Sequence, residues 1–314
     1  MTFQGRFADS LISGQLDKIS LSFLSTQLEV RRGGCAGNVA FGMAALGQRP
    51  ILVGAVGEDF ADYRSWLERH GIDCESIHYS RTAHTARFMC TTDDNMAQIA
   101  TFYTGAMAEA RLIELAPIAE RVGRLDLVLI SPNDPEAMLR HSDECRERGI
   151  EFAADPSQQM AWMDGDGIRR LIDGAAYLFT NEYELHLAVQ KTGWSEAEVT
   201  RRVGIQVTTL GSDGARITRA GEAPIHVPIA PERRRAEPTG VGDAFRAGFL
   251  TGLAVDLPLT VCAQLGSLLA TYAFETVGTQ EYLLGHGEFL ARLGAAYGAQ
   301  TAELVAPKIR CARP

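Results

Sequence analysis

The chain has 314 residues, 46% of them hydrophobic, which is enough to bury a large core. Its 30 basic and 39 acidic side chains give a formal net charge of −9, and its longest basic run is Arg233-Arg234-Arg235. This balance argues against a nucleic-acid-binding protein. No apolar stretch reaches the roughly 18 residues of a membrane-spanning helix, which argues against a membrane protein.

Six cysteines are scattered along the chain, and none has the spacing of a zinc site or a redox pair. A chain with a core of this size does not depend on disulfides, so we expect reduced thiols. The polar segment Met1–Arg6 leads into no apolar signal sequence. Together these features predict a cytoplasmic protein.

The first hundred residues favour extended structure in three places. Ser20–Arg31 is strand-like, and the runs His84–Thr92 and Gln98–Tyr103 have the composition of β-strands. The turn-forming residues Asp93-Asp94-Asn95 join the last two runs and predict an antiparallel hairpin, with the Ser20–Arg31 strand beside it. We expect the segments at about 20–32 and 84–104 to form a small β-sheet lid.

A hairpin centred on Asn95 places Phe88 opposite Phe102, because each is seven residues from the centre. Two phenyl rings on one face of a lid are suited to covering a planar purine by stacking. The alternative is that both rings pack within the lid or against a second copy of the chain.

From about Leu125 onward, short apolar runs alternate with helical patterns. Asn133-Asp134-Pro135-Glu136 predicts the start of a helix, with a cap, a proline in the first turn and an acid at the positive end, and Gly149 predicts its end. This rhythm predicts a mostly parallel sheet with helices on both faces. Its strands are predicted at Leu125–Ile130, Glu151–Ala154, Ala176–Thr180 and Gln206–Leu210.

The strongest motif is Thr239–Phe249, which reads TGVGDAFRAGF. Gly240 and Gly242 free the backbone to bend, and the apolar residues after Asp243 have helical spacing, so we expect this loop at a helix N-terminus. Backbone amides and the helix dipole favour an anion there, and a carboxylate beside them is suited to accept a proton from a hydroxyl group. The alternative is a glycine-rich turn in which Asp243 is an ordinary helix cap.

This motif resembles the carboxyl-terminal signature of ribokinase-like (PfkB) kinases, and the resemblance covers nearly the whole chain. It implies one ribokinase-like α/β domain over residues 1–314, with Asp243 as the catalytic base and the Gly240 and Gly242 amides as an anion hole. Three further segments are similar to motifs of that family and occur in the family's order, although each alone is typical of a turn or a helix cap. They are Gly33-Gly34 with Asn38, Gly54 with Gly57 and Asp59, and Asn181 with Glu184.

The resemblance also assigns a nucleotide side to the site. A fifth match, Thr209-Leu210-Gly211-Ser212-Asp213-Gly214, follows a predicted strand, where ligands bind on open parallel sheets; the alternative is a plain turn. The family's Asn-x-x-Glu motif organises Mg²⁺ and phosphate. The resemblance therefore implies this role for Glu184, and Mg²⁺ is expected with ATP. The implied ATP-binding residues are Asn181, Thr209, Leu210, Gly211, Gly214 and Gly242.

Within the family, His84–Arg111, Asp155–Gln159 and Gly278-Thr279-Gln280 look like bacterial, notably actinobacterial, adenosine kinases. This implies an ATP-dependent adenosine kinase that forms AMP in purine salvage, and a homodimer formed through the lid. The implied nucleoside-binding residues are Ser22, Gly34, Asn38, Phe88, Phe102, Gln158 and Gln159. A PfkB sugar kinase and a catalytically impaired nucleoside-binding protein remain the alternatives.

The chain departs from the family's pattern in two places. Glu237 stands where the signature has the aspartate of a monovalent-cation site, so a K⁺ requirement stays open. Relatives also begin with a buried strand that leads to a substrate-binding aspartate, whereas this chain starts at Met1, after that point. We expect the chain as written to be aggregation-prone and weakly active, and a form extended upstream to be soluble and active.

Overall fold

The computed structural model describes residues 1–10, 22–95 and 97–311, so Ser20 and Leu21 of the first predicted lid strand lie outside the described residues. The strands are β1 (Thr2–Phe3), β2 (Ser25–Gln27), β3 (Ala55–Val56), β4 (His78–Tyr79), β5 (Arg87–Thr92), β6 (Gln98–Tyr103), β7 (Val128–Ile130), β8 (Phe152–Ala154), β9 (Tyr177–Asn181), β10 (Ile205–Thr209), β11 (Ala215–Thr218) and β12 (Ile225–Val227).

The helices are α1 (Phe7–Ser10), α2 (Cys35–Ala45), α3 (Ala61–Arg69), α4 (Ala116–Val122), α5 (Pro135–Arg148), α6 (Gly165–Ile172), α7 (Glu182–Thr192), α8 (Glu196–Arg202), α9 (Val241–Ala254), α10 (Leu259–Phe274), α11 (His286–Tyr297) and α12 (Ala299–Val305). Among the described residues, no helix has the length and apolar character needed to cross a bilayer.

The main sheet has six strands in the order β12-β11-β10-β9-β8-β7. Strands β7 to β10 are parallel, and β11 and β12 continue the sheet as an antiparallel meander. Helix α5 begins as predicted, because the Asp134 side chain accepts a hydrogen bond from the Ala137 amide and Pro135 opens the first turn. Gly149 ends it in the left-handed conformation, with φ 65°. The predicted mostly parallel α/β fold is confirmed.

Side chains on opposite faces of the sheet belong to two separate apolar clusters. On β9, Phe179 packs in the cluster that contains residues of α2, α9 and α10, whereas Leu178 packs in the cluster that contains residues of α5 and α6. Neighbouring residues of a strand point to opposite faces, so each face requires its own cover. Helices therefore cover both faces, as the sequence predicts.

The lid is a separate four-stranded sheet in the order β2-β1-β5-β6. The hairpin register is confirmed, because Phe88 of β5 pairs with Phe102 of β6. The predicted position of the first lid strand is wrong, because β1 lies between β2 and β5. The side chains of Asp93 and Asp94 hold that segment by accepting bonds from the Phe7 and Gly5 amides, at 2.9 and 2.8 Å.

The first lid strand is also much shorter than predicted. Within residues 22–31, only Ser25–Gln27 forms a strand, and the flanking Leu24, Leu28 and Val30 are 85%, 71% and 87% exposed. The sequence alternates imperfectly there, so no continuous apolar face exists that a longer strand would bury.

A groove of about 930 Å³, lined by both apolar and polar side chains, runs beside β7. Its walls include residues 51–54 on one side and residues 125–130 on the other, with side chains of α2 and α9 lining it as well. Within the described residues, β7 pairs with β8 alone, and residues 51–56 pair only with the segment at 73–79. Two strand edges therefore border the groove.

Candidate active site

The candidate site lies at the carboxyl ends of the parallel strands. Asp155 directly follows β8, Asn181 ends β9 and Thr209 ends β10. Asn181 and Thr209 are partners in the strand register, so the two predicted nucleotide-binding segments are neighbours. Ligands of open parallel sheets bind at this edge.

The glycine loop forms the N-terminus of α9 and has the geometry of an anion site. Gly240 is the residue before the helix, with φ 79° and no side-chain cap. The N–H groups of Gly240, Gly242 and Asp243 donate to no acceptor in the described part of the chain. A methyl group on Gly240 would lie 2.8 Å from Thr279 Cγ2, so glycine is required there for space as well as for conformation. Unpartnered amides at a helix N-terminus favour a phosphate.

Asp243 lies in the first turn of α9 and is mostly enclosed. Its Oδ2 accepts a hydrogen bond of 2.8 Å from Nδ2 of Asn38. Burial raises the pKa of Asp243, while the bond from Asn38, the charge of Arg246 and the Cys35 thiol counteract that rise. A carboxylate with a raised pKa is a stronger base, and it is still ionised above that pKa. The residue therefore has the surroundings of a general base, and its catalytic role stays a prediction.

Arg246 and Asp155 form a buried ion pair that the sequence analysis did not single out. Arg246 Nη2 lies 2.6 Å from Asp155 Oδ1, and both side chains are almost fully buried. Burial raises the pKa of Asp155 to about 7, although the adjacent guanidinium of Arg246 opposes that rise. Arg246 Nη1 would lie 2.9 Å from a methyl group placed on Gly242, so this cation borders the glycine loop. The sequence signal that could have identified Arg246 is its i, i+3 spacing from Asp243, because that spacing places both residues on the same helix face.

The Gly-Gly-x-x-x-Asn segment contacts Asp243 through Asn38. Gly34 precedes α2 with φ 95°. Asn38 is buried in the first turn of α2, and its Oδ1 accepts bonds from Thr279 Oγ1 and Gln280 Nε2, at 2.9 and 3.0 Å. Asn38 thus contacts the base directly, and its contact with a substrate stays a prediction.

The other predicted nucleoside-binding residues are more dispersed. Gln158 Nε2 lies 3.8 Å from the Cys35 sulfur, which brings it to the Asp243 surroundings, whereas Gln159 donates to the Asn133 carbonyl at 2.8 Å. Ser157, which lies between β8 and these two glutamines, has φ 43°, a conformation that non-glycine residues rarely adopt. The remaining predicted residues are exposed on or beside the lid. They are Ser22, Phe88 and Phe102.

Asp59, the last residue of the Gly-x-x-Gly-x-Asp match, anchors the base of the lid hairpin. Its carboxylate accepts bonds from the backbone N–H and the hydroxyl of Thr85, at 2.8 and 2.7 Å, and pairs with Arg87 at the start of β5. The Gly57 amide donates to the same Thr85 hydroxyl. Burial works against ionisation, but the bonds from Thr85 and Arg87 outweigh it and lower the pKa of Asp59 to about 2. The lid is therefore fixed to the body by a carboxylate that stays ionised.

On the nucleotide side, Asn181 and Glu184 form a reciprocal capping box at the start of α7. Asn181 Oδ1 accepts from the Glu184 amide, and Glu184 Oε2 accepts from the Asn181 amide, both at 2.8 Å. The predicted ATP turn after β10 connects two antiparallel strands, and a methyl group on Gly214 would lie 2.0 Å from the Val227 carbonyl oxygen. Gly214 is thus required by packing, and its contact with ATP stays a prediction.

The donor set suits a metal that is held mainly by a nucleotide. In the described ranges, no group of three acidic, histidine or cysteine side chains is placed to bind a metal ion. Within the described ranges, Oε1 of Glu184 makes no hydrogen bond. This carboxylate oxygen is therefore available for a water ligand of Mg²⁺. Glu237, at the predicted cation position, uses Oε2 to accept from the Gly278 amide at 2.8 Å.

Comparison with known proteins gives consistent matches over most of the chain. The curated nucleoside kinase of Methanothermobacter thermautotrophicus is 31% identical over 270 residues, which cover 85% of each protein. The structure of Burkholderia thailandensis nucleoside kinase in complex with inosine aligns with a TM-score of 0.82 and 32% identity, covering 95% of this chain and 94% of that chain.

More distant structures share the fold. Ribokinase from Cryptococcus neoformans, in complex with ADP, aligns with a TM-score of 0.74 at 18% identity, covering 93% of this chain and 95% of that chain. The sequence model of the pfkB family carbohydrate kinases matches residues 11–284, a range that includes the glycine loop and Asp243. These matches confirm the resemblance drawn from the motifs, and the chain belongs to the pfkB family of carbohydrate kinases.

Proposed function

We propose that the protein transfers the γ-phosphoryl group of ATP to the 5′-hydroxyl group of adenosine, giving AMP and ADP. The observation that carries this proposal is the enclosed carboxylate of Asp243 directly beside the unpartnered amides of the glycine loop, with burial raising the pKa of that carboxylate. A hydroxyl group and a phosphoryl group are the two reactants that this pair of features serves. The similarity to two nucleoside kinases, one of them solved with inosine, supports a nucleoside as the acceptor.

In the proposed reaction, Asp243 accepts the proton of the 5′-hydroxyl group as its oxygen bonds to the γ-phosphorus. The bond from that phosphorus to the oxygen bridging to the β-phosphate breaks, and ADP leaves with the bonding electrons. The amides of Gly240 and Gly242 bind the negative charge of the transferred group. Arg246 adds a positive charge beside the loop that water does not screen.

Kinases of this family use ATP with a divalent metal, generally Mg²⁺. We assign Glu184 to it, because Oε1 is available and the Asn181 cap fixes the carboxylate. The metal, when bound, neutralises charge on the nucleotide phosphates. In this proposal, Glu184 orients one water ligand of the metal.

Glu184→Gln is expected to raise the Mg²⁺ concentration for half-maximal rate by about tenfold. The glutamine oxygen still accepts from the Asn181 amide, so the helix cap is retained and only the charge is lost. The rate is measured against Mg²⁺ at saturating ATP, with Glu182→Gln in the same helical turn as the matched control. An unchanged Mg²⁺ dependence would remove Glu184 from the metal site.

The choice of a purine nucleoside over a free sugar rests on the lid, where Phe88 and Phe102 form one cross-strand pair and are 69% and 52% exposed. Exposed rings on one face are suited to stacking on a purine. Rates with adenosine, inosine, ribose and fructose in the presence of Mg-ATP test the proposal. A preference for inosine would overturn adenosine and keep the nucleoside, and a preference for a free sugar would overturn both and leave the family assignment standing.

Phe102→Ala is expected to weaken adenosine binding by about 1–3 kcal/mol, because stacking on the base is lost, and to change ATP binding little. Titration of each ligand measures this. Ile99→Ala is the matched control, since Ile99 is an exposed residue of the same strand that points to the opposite face. Loss of folding or of a lid-mediated homodimer in place of adenosine affinity would show that the ring is a packing contact.

A further inference from the structure

A chain of hydrogen bonds leads from Trp66 in α3 to the proposed base. Trp66 Nε1 donates to Gln280 Oε1 at 3.1 Å, Gln280 Nε2 donates to Asn38 Oδ1 at 3.0 Å, and Asn38 Nδ2 donates to Asp243 Oδ2 at 2.8 Å. Gln280 is 1% exposed and Asn38 is 6% exposed, so water does not compete with these bonds. This series of hydrogen bonds connects four residues that lie far apart in the sequence.

The direction of every bond in this chain is set by its two ends, because Trp66 only donates and the Asp243 carboxylate only accepts. An indole N–H group only donates, so Gln280 must turn its oxygen to Trp66 and its NH₂ group to Asn38. Asn38 must then turn its oxygen to Gln280, which leaves its NH₂ group for Asp243. The Thr279 hydroxyl, which donates to the same Asn38 oxygen at 2.9 Å, reinforces this orientation. Without Trp66 and Gln280, the Asn38 oxygen keeps only the Thr279 hydroxyl as a donor, and the Asn38 amide is held less firmly on the carboxylate.

Further hydrogen bonds fix the orientation of the Gln280 amide. Gln280 Nε2 also lies 2.5 Å from the Tyr63 hydroxyl, which itself donates to the Gly33 carbonyl at 2.9 Å. A methyl group on Gly37 would lie 2.4 Å from that hydroxyl. The amide of Gln280 is therefore held in one rotamer, with all its polar atoms in use.

We propose that Gln280, oriented by Trp66, is a positioning residue that keeps the amide N–H of Asn38 on the carboxylate of Asp243. This inference rests on the proposed role of Asp243 as the general base. The donated bond holds Oδ2 and leaves Oδ1 to accept the proton of the substrate hydroxyl. It also stabilises the ionised form of the base in surroundings that disfavour it.

The pH dependence of the rate reports this role because loss of the donated bond makes Asp243 harder to ionise. The acid limb of the profile, below which the base is protonated and inactive, then moves to higher pH. Other groups also act on Asp243, and a test must hold them constant. The titratable and charged groups around it are Cys35 of α2, Tyr63 of α3, Asp155 after β8, Glu184 of α7, Arg246 of α9 and Tyr282.

Two variants test the proposal. Gln280→Glu replaces the donor with an acceptor that competes with Asp243 for the Asn38 NH₂ group, and it adds a buried negative charge; both changes make Asp243 harder to ionise. We expect kcat to fall about 10- to 100-fold at neutral pH and the acid limb of kcat/KM to rise by about one pH unit or more, with the KM for ATP nearly unchanged. Trp66→Phe removes only the orienting N–H group and adds no charge, so a smaller shift in the same direction is expected.

Trp194→Phe is the matched control, because Trp194 packs against Arg169 and Arg202 away from this chain of bonds. An acid limb that stays in place in both Gln280→Glu and Trp66→Phe, while Asp243→Asn is inactive, overturns the positioning role and keeps the base. Full activity of Asp243→Asn overturns the proposed function itself. If Gln280→Glu fails to fold, the profile of Trp66→Phe decides alone.

Discussion

Asp243→Asn is expected to lower kcat by about 10²–10⁴-fold and to change nucleoside binding much less. The substitution keeps the shape of the side chain but removes its capacity to accept a proton. The neighbouring amides and Arg246 still bind the phosphoryl group, so part of the catalysis remains. Steady-state rates at saturating adenosine and ATP, together with titration of adenosine, separate the two effects.

The wild-type pH profile provides an independent check on the same residue. Burial raises the pKa of Asp243, so activity should be lost on acidification at a pH above the ordinary aspartate value of about 3.9. In Asp243→Asn this acid limb should disappear from the residual activity. Asp166→Asn, which changes an exposed aspartate of α6, is the control for charge alone. Near-normal turnover of Asp243→Asn would show that Asp243 is only a helix cap.

The second large effect concerns the groove between β7 and residues 51–54. An added apolar strand would pair with both bordering edges and cover the side chains of the groove, as a central strand of a parallel sheet does. Its contribution is expected to be a large part of the ~5–15 kcal/mol that stabilises a typical domain. A form extended ahead of Met1 by an Ile/Val-rich strand that leads to an aspartate, as in the relatives, should therefore be more stable, more soluble and more active.

The comparison is made between the printed chain and the extended form, by thermal unfolding and by kinase rate. An extension of equal length with its apolar residues replaced by serine is the matched control, because it adds backbone without an apolar face. Equal melting temperatures for the printed and the apolar-extended forms would show that the groove does not accept a strand.

The parts of the fold that local patterns determine were predictable. The helix start at Asp134 and the pairing of Phe88 with Phe102 depend on residues within one turn or one hairpin, and both are confirmed. The position of β1 was not predictable, because its place between β2 and β5 depends on bonds to Asp93 and Asp94 about 90 residues away.

The same distinction holds for the site. The glycine loop and Asp243 form one continuous motif, so the sequence shows them together. The contact of Gln280 with Asn38 joins residues 242 positions apart, and an amide has no local pattern that indicates its partner. Arg246 lies between these cases, because its spacing from Asp243 is readable, but its counter-ion Asp155 lies after β8, far from α9 in the sequence.

The burial of the Arg246–Asp155 pair has a consequence for ionic strength. The surface carries a formal net charge of −9, which repels a nucleotide polyanion at a distance, and dissolved salt weakens that repulsion. Counterions do not reach the enclosed guanidinium, so the field it exerts on the bound phosphates is nearly independent of salt. Moderate salt should therefore raise the association rate of ATP and leave the rate of the chemical step unchanged. A site built from exposed lysines would instead bind ATP more slowly as salt is added.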